Sequence, residues 1–266
     1  MLGSPIAHSL SPVLHRAAYG ELGLDWSYDA VEVDEEGLAA FLDGLGDEWR
    51  GLPLTMPLKR AVLPLLDEVR GRAVEAGAAN TVVLEGGRRV GHNTDVPGAV
   101  AALSQRWEEP VRSAVVVGGG ATAASLLLAL ADLGCRAVTL AVREPNRAGA
   151  TLEAVQRHET PPEVTVVRLG KVPELAGVDL VASTIPAGAQ DDGVLAAAGG
   201  AAVVFDVVYD PWPTPLASAA LARGQVLVGG LDLLVHQAAL QVELMTGHPA
   251  PLDVMAAAGE AALAQR

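Results

Sequence analysis

The sequence predicts an α/β protein of two domains built on mostly parallel sheets. Three observations carry that expectation. Short β-branched runs alternate with Ala- and Leu-rich stretches along almost the whole chain, the rhythm of βαβ units. One fully apolar run, Ala114-Val115-Val116-Val117, leads straight into Gly118-Gly119-Gly120 and then into a long apolar stretch. The length of 266 residues exceeds the roughly 100–200 of a single ordinary domain.

The elements follow in order. A first strand should lead into Gly3-Ser4-Pro5, yet only Met1-Leu2 precede it, so it is either a stub or part of it is absent from this chain. Ser11-Pro12 then reads as an N-cap followed by proline at the first helical position, opening a helix over 13–22. Strands at 28–33 and 52–55 flank a helix at 37–45, and a helix at 61–66 follows. Strands at 81–84 and 89–92 break the rhythm, because Glu85-Gly86-Gly87 reads as a hairpin turn. After a helix at 96–105 come strands at 114–117, 137–142, 164–168, 180–183, 203–206 and 226–228, with helices at 121–133, 147–157 and 216–223. Helices at 231–245 and 252–265 close the chain. The run from 113 to 228 resembles a complete nucleotide-binding unit, so the domains are drawn at 96–230 and at 1–95 plus 231–266, the terminal helices returning to the first domain.

Composition narrows the function. Half the residues are hydrophobic but only 3% are aromatic, so Ala, Val and Leu must fill the cores. Gly, Pro or a charge interrupts every apolar run before the roughly 18 residues of a membrane span, and no basic-then-apolar leader opens the chain. The expectation is a cytoplasmic protein with no membrane partner. A net charge of −14 argues against a nucleic-acid partner, which wants a basic stripe. Lys59 and Lys171 are the only lysines. The single cysteine, Cys135, excludes an intramolecular disulfide and reads as a small packing residue, and no His/Asp or His-x-x-x-His cluster suggests a metal.

The glycine turn has the G-x-G-x-x-A form of a dinucleotide fingerprint between a strand and a helix. Gly118 permits the tight turn, Gly120 lets the backbone approach a pyrophosphate, and Ala123 keeps the helix close to the sheet. The helix N-terminus then offers free N–H groups to phosphates. In the first half, Ser9 and Ser11 are hydroxyl donors for a carboxylate, although capping alone explains Ser11. Lys59 follows a strand end in a lysine-poor chain, or is a solvated lysine at a helix start. Asn80 and Asp95 sit at strand ends, where turn and capping roles are equally open to them.

Taken together, GSPIAHSLSP, LTMPLK, AGAANT, GHNTD, GGGATA, DVVYDPWPTPL and GLDLLVHQAA stand in the order seen in shikimate dehydrogenases, and the chain resembles that family over nearly its whole length. The resemblance implies an N-terminal substrate domain, a Rossmann domain for NADP(H), and interconversion of 3-dehydroshikimate and shikimate in chorismate biosynthesis. It implies that Ser9 and Ser11 bind the substrate carboxylate with Tyr209 close by, and that Thr55, Asn80, Asp95 and Gln237 line the ring hydroxyls. Lys59 should be the proton donor, with Asp95 holding it in place. Gly118, Gly119, Gly120, Ala121 and Thr122 should wrap the pyrophosphate, Arg143 and Arg147 should face the 2′-phosphate, and Thr184, Val207 and Gly230 should flank the rest of the cofactor. His8, His15 and His92 gain no role and are read as structural.

The chain departs from the family pattern at Pro53, where Asn is frequent, and at Val142 and Glu144, which replace the Asn and Thr of an Asn-Arg-Thr run. Glu144 leaves NAD open as the cofactor, by repelling a 2′-phosphate or binding a free ribose hydroxyl; a carboxylate in the first turn of the next helix is its other reading. The expected partner is a small-molecule substrate, and the expected state a monomer or homodimer. A relative acting on quinate or aminoshikimate, and a catalytically silent dinucleotide-binding regulator, are the alternatives.

Overall fold

The computed structural model describes residues 1–169 and 177–266. It divides into two compact units, Met1–Gly98 with Leu234–Arg266, and Ala99–Leu233.

In the first unit, β1 (Leu2–Gly3) pairs in parallel with β2 (Val31–Glu32), after helix α1 (Ser11–Glu21). Helix α2 (Leu38–Asp43) leads to β3 (Gly51–Pro53), and the short helix α3 (Leu58–Ala61) runs into a 3-10 turn at Leu63–Leu65. Then come β4 (Glu68–Val69), α4 (Arg72–Ala76), β5 (Thr81–Glu85) and β6 (Arg88–His92). The four-stranded sheet has the order β3-β5-β6-β4, and a parallel bridge from Leu2 to Leu54 ties β1 to the end of β3. β5 runs antiparallel to both neighbours, to β6 through the hairpin the sequence announces, while β4 and β6 are parallel. Glu85 lies opposite Arg88, leaving Gly86 and Gly87 as a two-residue loop with φ of 58° and 80°. Two positive φ values in succession make a type I′ turn, which matches the strand twist and which glycine adopts without strain.

The core of this unit is aliphatic: Leu2, Leu38, Leu42, Leu52, Leu58, Val62 and Val82 are fully or almost fully buried. The apolar faces of α2 and α3 and the inward residues of the central strands thus remove one shared surface from water, at about 25 cal/mol per Å². The two-residue β4 and five-residue α4 are too short to leave a periodic pattern, and the sequence gives no sign of them.

Helix α5 (Asp95–Arg106) begins in the first unit and continues in the second. There β7 (Ser113–Val117), α6 (Ala121–Asp132), β8 (Ala137–Val142), α7 (Gly149–Gln156), β9 (Glu163–Arg168), β10 (Leu180–Ser183), α8 (Asp192–Ala197), β11 (Val203–Asp206), α9 (Pro215–Ala222) and β12 (Val226–Val228) alternate. The six described strands are all parallel, in the order β12-β11-β10-β7-β8-β9. This doubly wound order reverses direction between β7 and β10, the place where such sheets bind ligands at their carboxyl edge. The inner residues of β7, β10 and β11 are all buried, as their unbroken apolar runs require. Cys135 is buried with a free thiol whose pKa burial pushes up, which suits a packing role.

Helices α10 (Gly230–Thr246) and α11 (Leu252–Leu263) end the chain, and α11 packs on α1 within the first unit. Among the described residues no helix is long and apolar enough to cross a membrane.

Candidate active site

The ends of β3, β5 and β6 and the start of α5 bring a polar group together in the first unit. The Lys59 backbone carbonyl accepts the Ala79 N–H at 2.8 Å, which fixes the start of α3 beside the segment entering β5. Lys59 Nζ then donates to Asp95 Oδ2 at 2.6 Å, and the two side chains are only 12% and 7% exposed. Asp95 is the first residue of α5, where the helix dipole favours a carboxylate. Its other oxygen, Oδ1, accepts from Asn80 Nδ2 at 2.9 Å. Asn80 Nδ2 also faces Thr94 Oγ1 at 2.9 Å and Gln237 Oε1 at 3.2 Å, so two amide hydrogens are shared among three acceptors. A cation, a carboxylate and two amides therefore converge on one place, the inventory for holding a polyhydroxylated ring and moving one proton.

Gln237 reaches this group because α10 lies hard against α5. A Cβ on Gly98 would stand 2.9 Å from the Gln237 Cβ and backbone nitrogen. Gly98 is thus required by contact rather than by conformation. Neither Gly98 nor Thr94 carries a role in the sequence reading, and only the packing of a distant helix makes the glycine legible.

Thr55 is half-buried at the end of the segment after β3, its N–H donating to Leu2 O at 2.9 Å. Ser9 and Ser11 lie at the entry to α1. The capping account of Ser11 is corrected here: the chain is already helical at Ser11, the N-cap position is Leu10, and no side chain caps it. The Ser9 hydroxyl instead accepts the Ser11 N–H at 3.2 Å. Because the helix starts one residue earlier than expected, Pro12 follows a helical serine and the Ser11 hydroxyl has no cap to make. His15 is fully buried, with Nδ1 at 3.0 Å from Ser11 O and its ring stacked on Tyr28. Desolvation lowers its pKa to about 3, so it stays neutral near pH 7 and serves packing. His8 is exposed, and His92 ends β6, where burial lowers its pKa.

In the second unit the glycine turn connects β7 to α6. Gly118 has φ of 111°, and a Cβ there would collide with Thr184 Oγ1, so glycine is needed on both counts. The Thr184 hydroxyl and N–H both donate to Val117 O, at 3.0 and 2.8 Å, which locks the ends of β7 and β10 together. Gly119 sits against Val142, where a Cβ would come within 2.9 Å of its side chain, and its carbonyl accepts from Thr151 Oγ1 at 2.7 Å. Gly120 is the N-cap of α6 and has open space where its Cβ would be. Open space before a twelve-residue helix, with Ala121 and Thr122 in its first turn, fits a pyrophosphate received by free N–H groups. Ala123 is fully buried against the sheet.

Arg143 and Glu144 follow β8, and Arg147 ends a 3-10 turn over Pro145–Arg147; all three are exposed. Glu144 occupies the N-cap of that turn in extended conformation, with no side-chain cap bond. Val207 follows β11, and Gly230 lies so close to it that a Cβ would meet the Val207 carbonyl oxygen at 2.5 Å. Tyr209 is half-buried in the segment between β11 and α9, also in the second unit. Buried Asp206 anchors that segment: it accepts from Thr214 Oγ1 at 2.5 Å, Gln190 Nε2 at 2.9 Å and Val208 N at 3.2 Å. Burial raises its pKa and these bonds oppose the rise. The sequence reading passed over this anchor, although Thr214-Pro215 carries the usual signature of a capped helix start. Among the described residues no group of His, Cys, Asp and Glu could hold a metal ion.

Comparison with known proteins finds relatives over the whole chain. Residues 1–82 match the model of the shikimate dehydrogenase substrate binding domain, and residues 230–258 that of the shikimate 5′-dehydrogenase C-terminal domain. The shikimate dehydrogenase (NADP(+)) of Thermosynechococcus vestitus is 36% identical over 281 aligned positions, covering 99% of this chain and 94% of the relative. The crystal structure of Mycobacterium tuberculosis shikimate dehydrogenase superposes with a TM-score of 0.89 at 38% identity, over 98% of this chain and 97% of that one. The Thermus thermophilus shikimate 5-dehydrogenase, solved in complex with NADP(H) and shikimate, gives 0.82 at 33% identity, over 98% and 97%.

Proposed function

The chain belongs to the shikimate dehydrogenase family, and on that premise we propose that it reduces 3-dehydroshikimate reversibly to shikimate with NADPH, using Lys59 as the proton donor. The observation that carries the assignment is the short, nearly buried Lys59–Asp95 ion pair with Asn80 and Gln237 around it. NADPH, when bound, supplies the hydride. Lys59 Nζ gives a proton to the oxygen that becomes the new hydroxyl, and in the oxidative direction it takes that proton back. Asp95 holds the ammonium with one oxygen, while its other oxygen is held by Asn80. An ion pair of this kind does little for stability, since desolvation offsets most of its attraction. Its use is to hold one proton at one place. Asn80 and Gln237 supply amides for the ring hydroxyls, Ser9 and Ser11 supply hydroxyls for the carboxylate, and Thr55 and Tyr209 complete the substrate contacts. The glycine turn, Thr184, Val207 and Gly230 hold the dinucleotide, with Arg143 and Arg147 on the 2′-phosphate.

The test is turnover of shikimate with NADP+ by the purified full chain, wild type against Lys59→Ala. Removing an interaction made mainly in the transition state lowers kcat by about 10²-fold or more with little change in KM. A variant with wild-type kcat would remove Lys59 from the chemistry, and a wild type without turnover would leave only dinucleotide binding.

A further inference from the structure

We propose that Gln241, acting through Thr81, is a positioning residue that fixes the orientation of the Asn80 amide and thereby the Asp95–Lys59 pair; the role rests on the reading of that pair given above. Gln241 lies one helical turn beyond Gln237 on α10 and is 1% exposed. Its Nε2 donates to Thr81 Oγ1 at 3.0 Å and faces the Asn80 backbone oxygen at 3.4 Å. Thr81, fully buried, donates its hydroxyl to Asn80 Oδ1 at 2.9 Å. The Thr94 N–H donates to the same oxygen at 2.8 Å. With both donors aimed at Oδ1, the Asn80 NH2 group must face Asp95 Oδ1, Thr94 Oγ1 and Gln237 Oε1. Turning the amide over would set NH2 against a backbone N–H.

The weak member of this arrangement is the threonine hydroxyl, which rotates freely about its C–O bond. Gln241 removes that freedom: with an amide donor on its oxygen, the Thr81 proton points to Asn80. The chain of donors therefore runs from Gln241 to Thr81 to the oxygen of Asn80, and from the nitrogen of Asn80 to Asp95, which holds Lys59.

A second observation separates this role from packing. Gln241 Oε1 is buried with no hydrogen-bond partner among the described residues, and an unsatisfied buried carbonyl costs stability. The backbone oxygen that Nε2 faces already receives the Leu54 N–H at 2.7 Å, so it does not depend on Gln241. An apolar side chain of similar length would fill the same space without the orphaned oxygen and would leave no other group unpaired. The orphaned oxygen counts against the glutamine as a mere packing residue, and what an apolar side chain could not supply is the bond to Thr81.

The experiment compares Gln241→Met, Thr81→Val, the double variant, Thr81→Ser and Lys59→Ala in the full chain, by shikimate oxidation with NADP+ and by thermal melting. Gln241→Met and Thr81→Val should each lower kcat by about fivefold, the scale of one neutral hydrogen bond. The double variant should also lose about fivefold, because both act through one path. Thr81→Ser, which restores the hydroxyl, should recover most of the rate lost in Thr81→Val. The melting temperature of Gln241→Met should equal or exceed that of wild type, and the KM for NADP+ should not move. Wild-type kcat in Gln241→Met, additive losses in the double variant, or a loss of rate that tracks a fall in melting temperature would each overturn the proposal while Lys59→Ala remained impaired. Wild-type kcat in Lys59→Ala would instead overturn the site reading beneath it.

Discussion

Gly98→Ala sets two physical expectations against each other. In an isolated helix the exchange stabilises by about 1 kcal/mol, since alanine has the higher helix propensity. Here Gly98 lies in α5 facing Gln237 of α10, and the new Cβ would stand 2.9–3.0 Å from the Gln237 backbone nitrogen, Cα and Cβ. Two of those atoms are main chain, so no rotamer change relieves the clash. The helices must part by about half an ångström or more to regain van der Waals spacing, and overpacking of this kind costs about 1–3 kcal/mol. The net effect is a loss of about 1 kcal/mol, or a fall of about 2–4 °C in Tm. The same displacement stretches the 3.2 Å bond between Gln237 Oε1 and Asn80 Nδ2 beyond useful length. The KM for shikimate should then rise about three- to tenfold, the cost of one hydrogen bond, with the KM for NADP+ unchanged. Gly20 is the control: it lies in α1 with nothing within 4 Å of its would-be Cβ, so Gly20→Ala should keep its KM and gain stability. The assay is thermal melting with steady-state kinetics on both variants. A Gly98→Ala protein as stable and as tight for shikimate as Gly20→Ala would refute the account of how α10 delivers Gln237.

Two further outcomes are expected. Wild type should prefer NADP+ to NAD+ in kcat/KM, and Arg143→Ala should abolish that preference while NAD+ activity survives; a wild type preferring NAD+ would make Glu144 the deciding residue. His15 is neutral in the fold, with its pKa lowered from 6.5 to about 3, so between those values the unfolded chain binds a proton that the native one refuses, and stability falls as pH drops. Between pH 6.5 and 5 this amounts to about 1.6 kcal/mol, and His15→Leu should remove that much of the fall in stability over this range, flattening Tm against pH; an unchanged slope would mean that His15 does not titrate in this way.

What the sequence shows of this molecule is what short-range chemistry determines. The glycine turn is legible because strand, turn and helix are contiguous, and Gly118 answers to both its own φ and the neighbouring Thr184. The hairpin at Gly86-Gly87 is legible for the same reason. Pieces of two to five residues, such as β4 and α4, leave no periodicity to read. Ser11 shows the limit of local rules: Ser-Pro marks a helix start, but not which residue turns first. The polar group around Asp95 draws on residues far apart in the chain, and no spacing rule joins Asn80 to Gln237. Residue chemistry drew notice to Lys59, Asn80 and Asp95, and family resemblance gave them and Gln237 their roles, whereas the parts of Thr94, Gly98, Thr81 and Gln241 emerge only from contacts.

The all-parallel sheet of the second unit has a consequence for how this chain can vary. Every described strand there points its carboxyl end to one edge, so Gly118, Thr184 and Val207 share that edge. The opposite edge receives the returns from α6 into β8, α7 into β9 and α9 into β12, which include Gly134, the segment 158–162 and Gly224. Substitutions and short insertions at these returns alter no residue assigned to the dinucleotide. They are the natural places for divergence between relatives, and the places where a fluorescent reporter or an affinity handle can be grafted without reaching the chemistry.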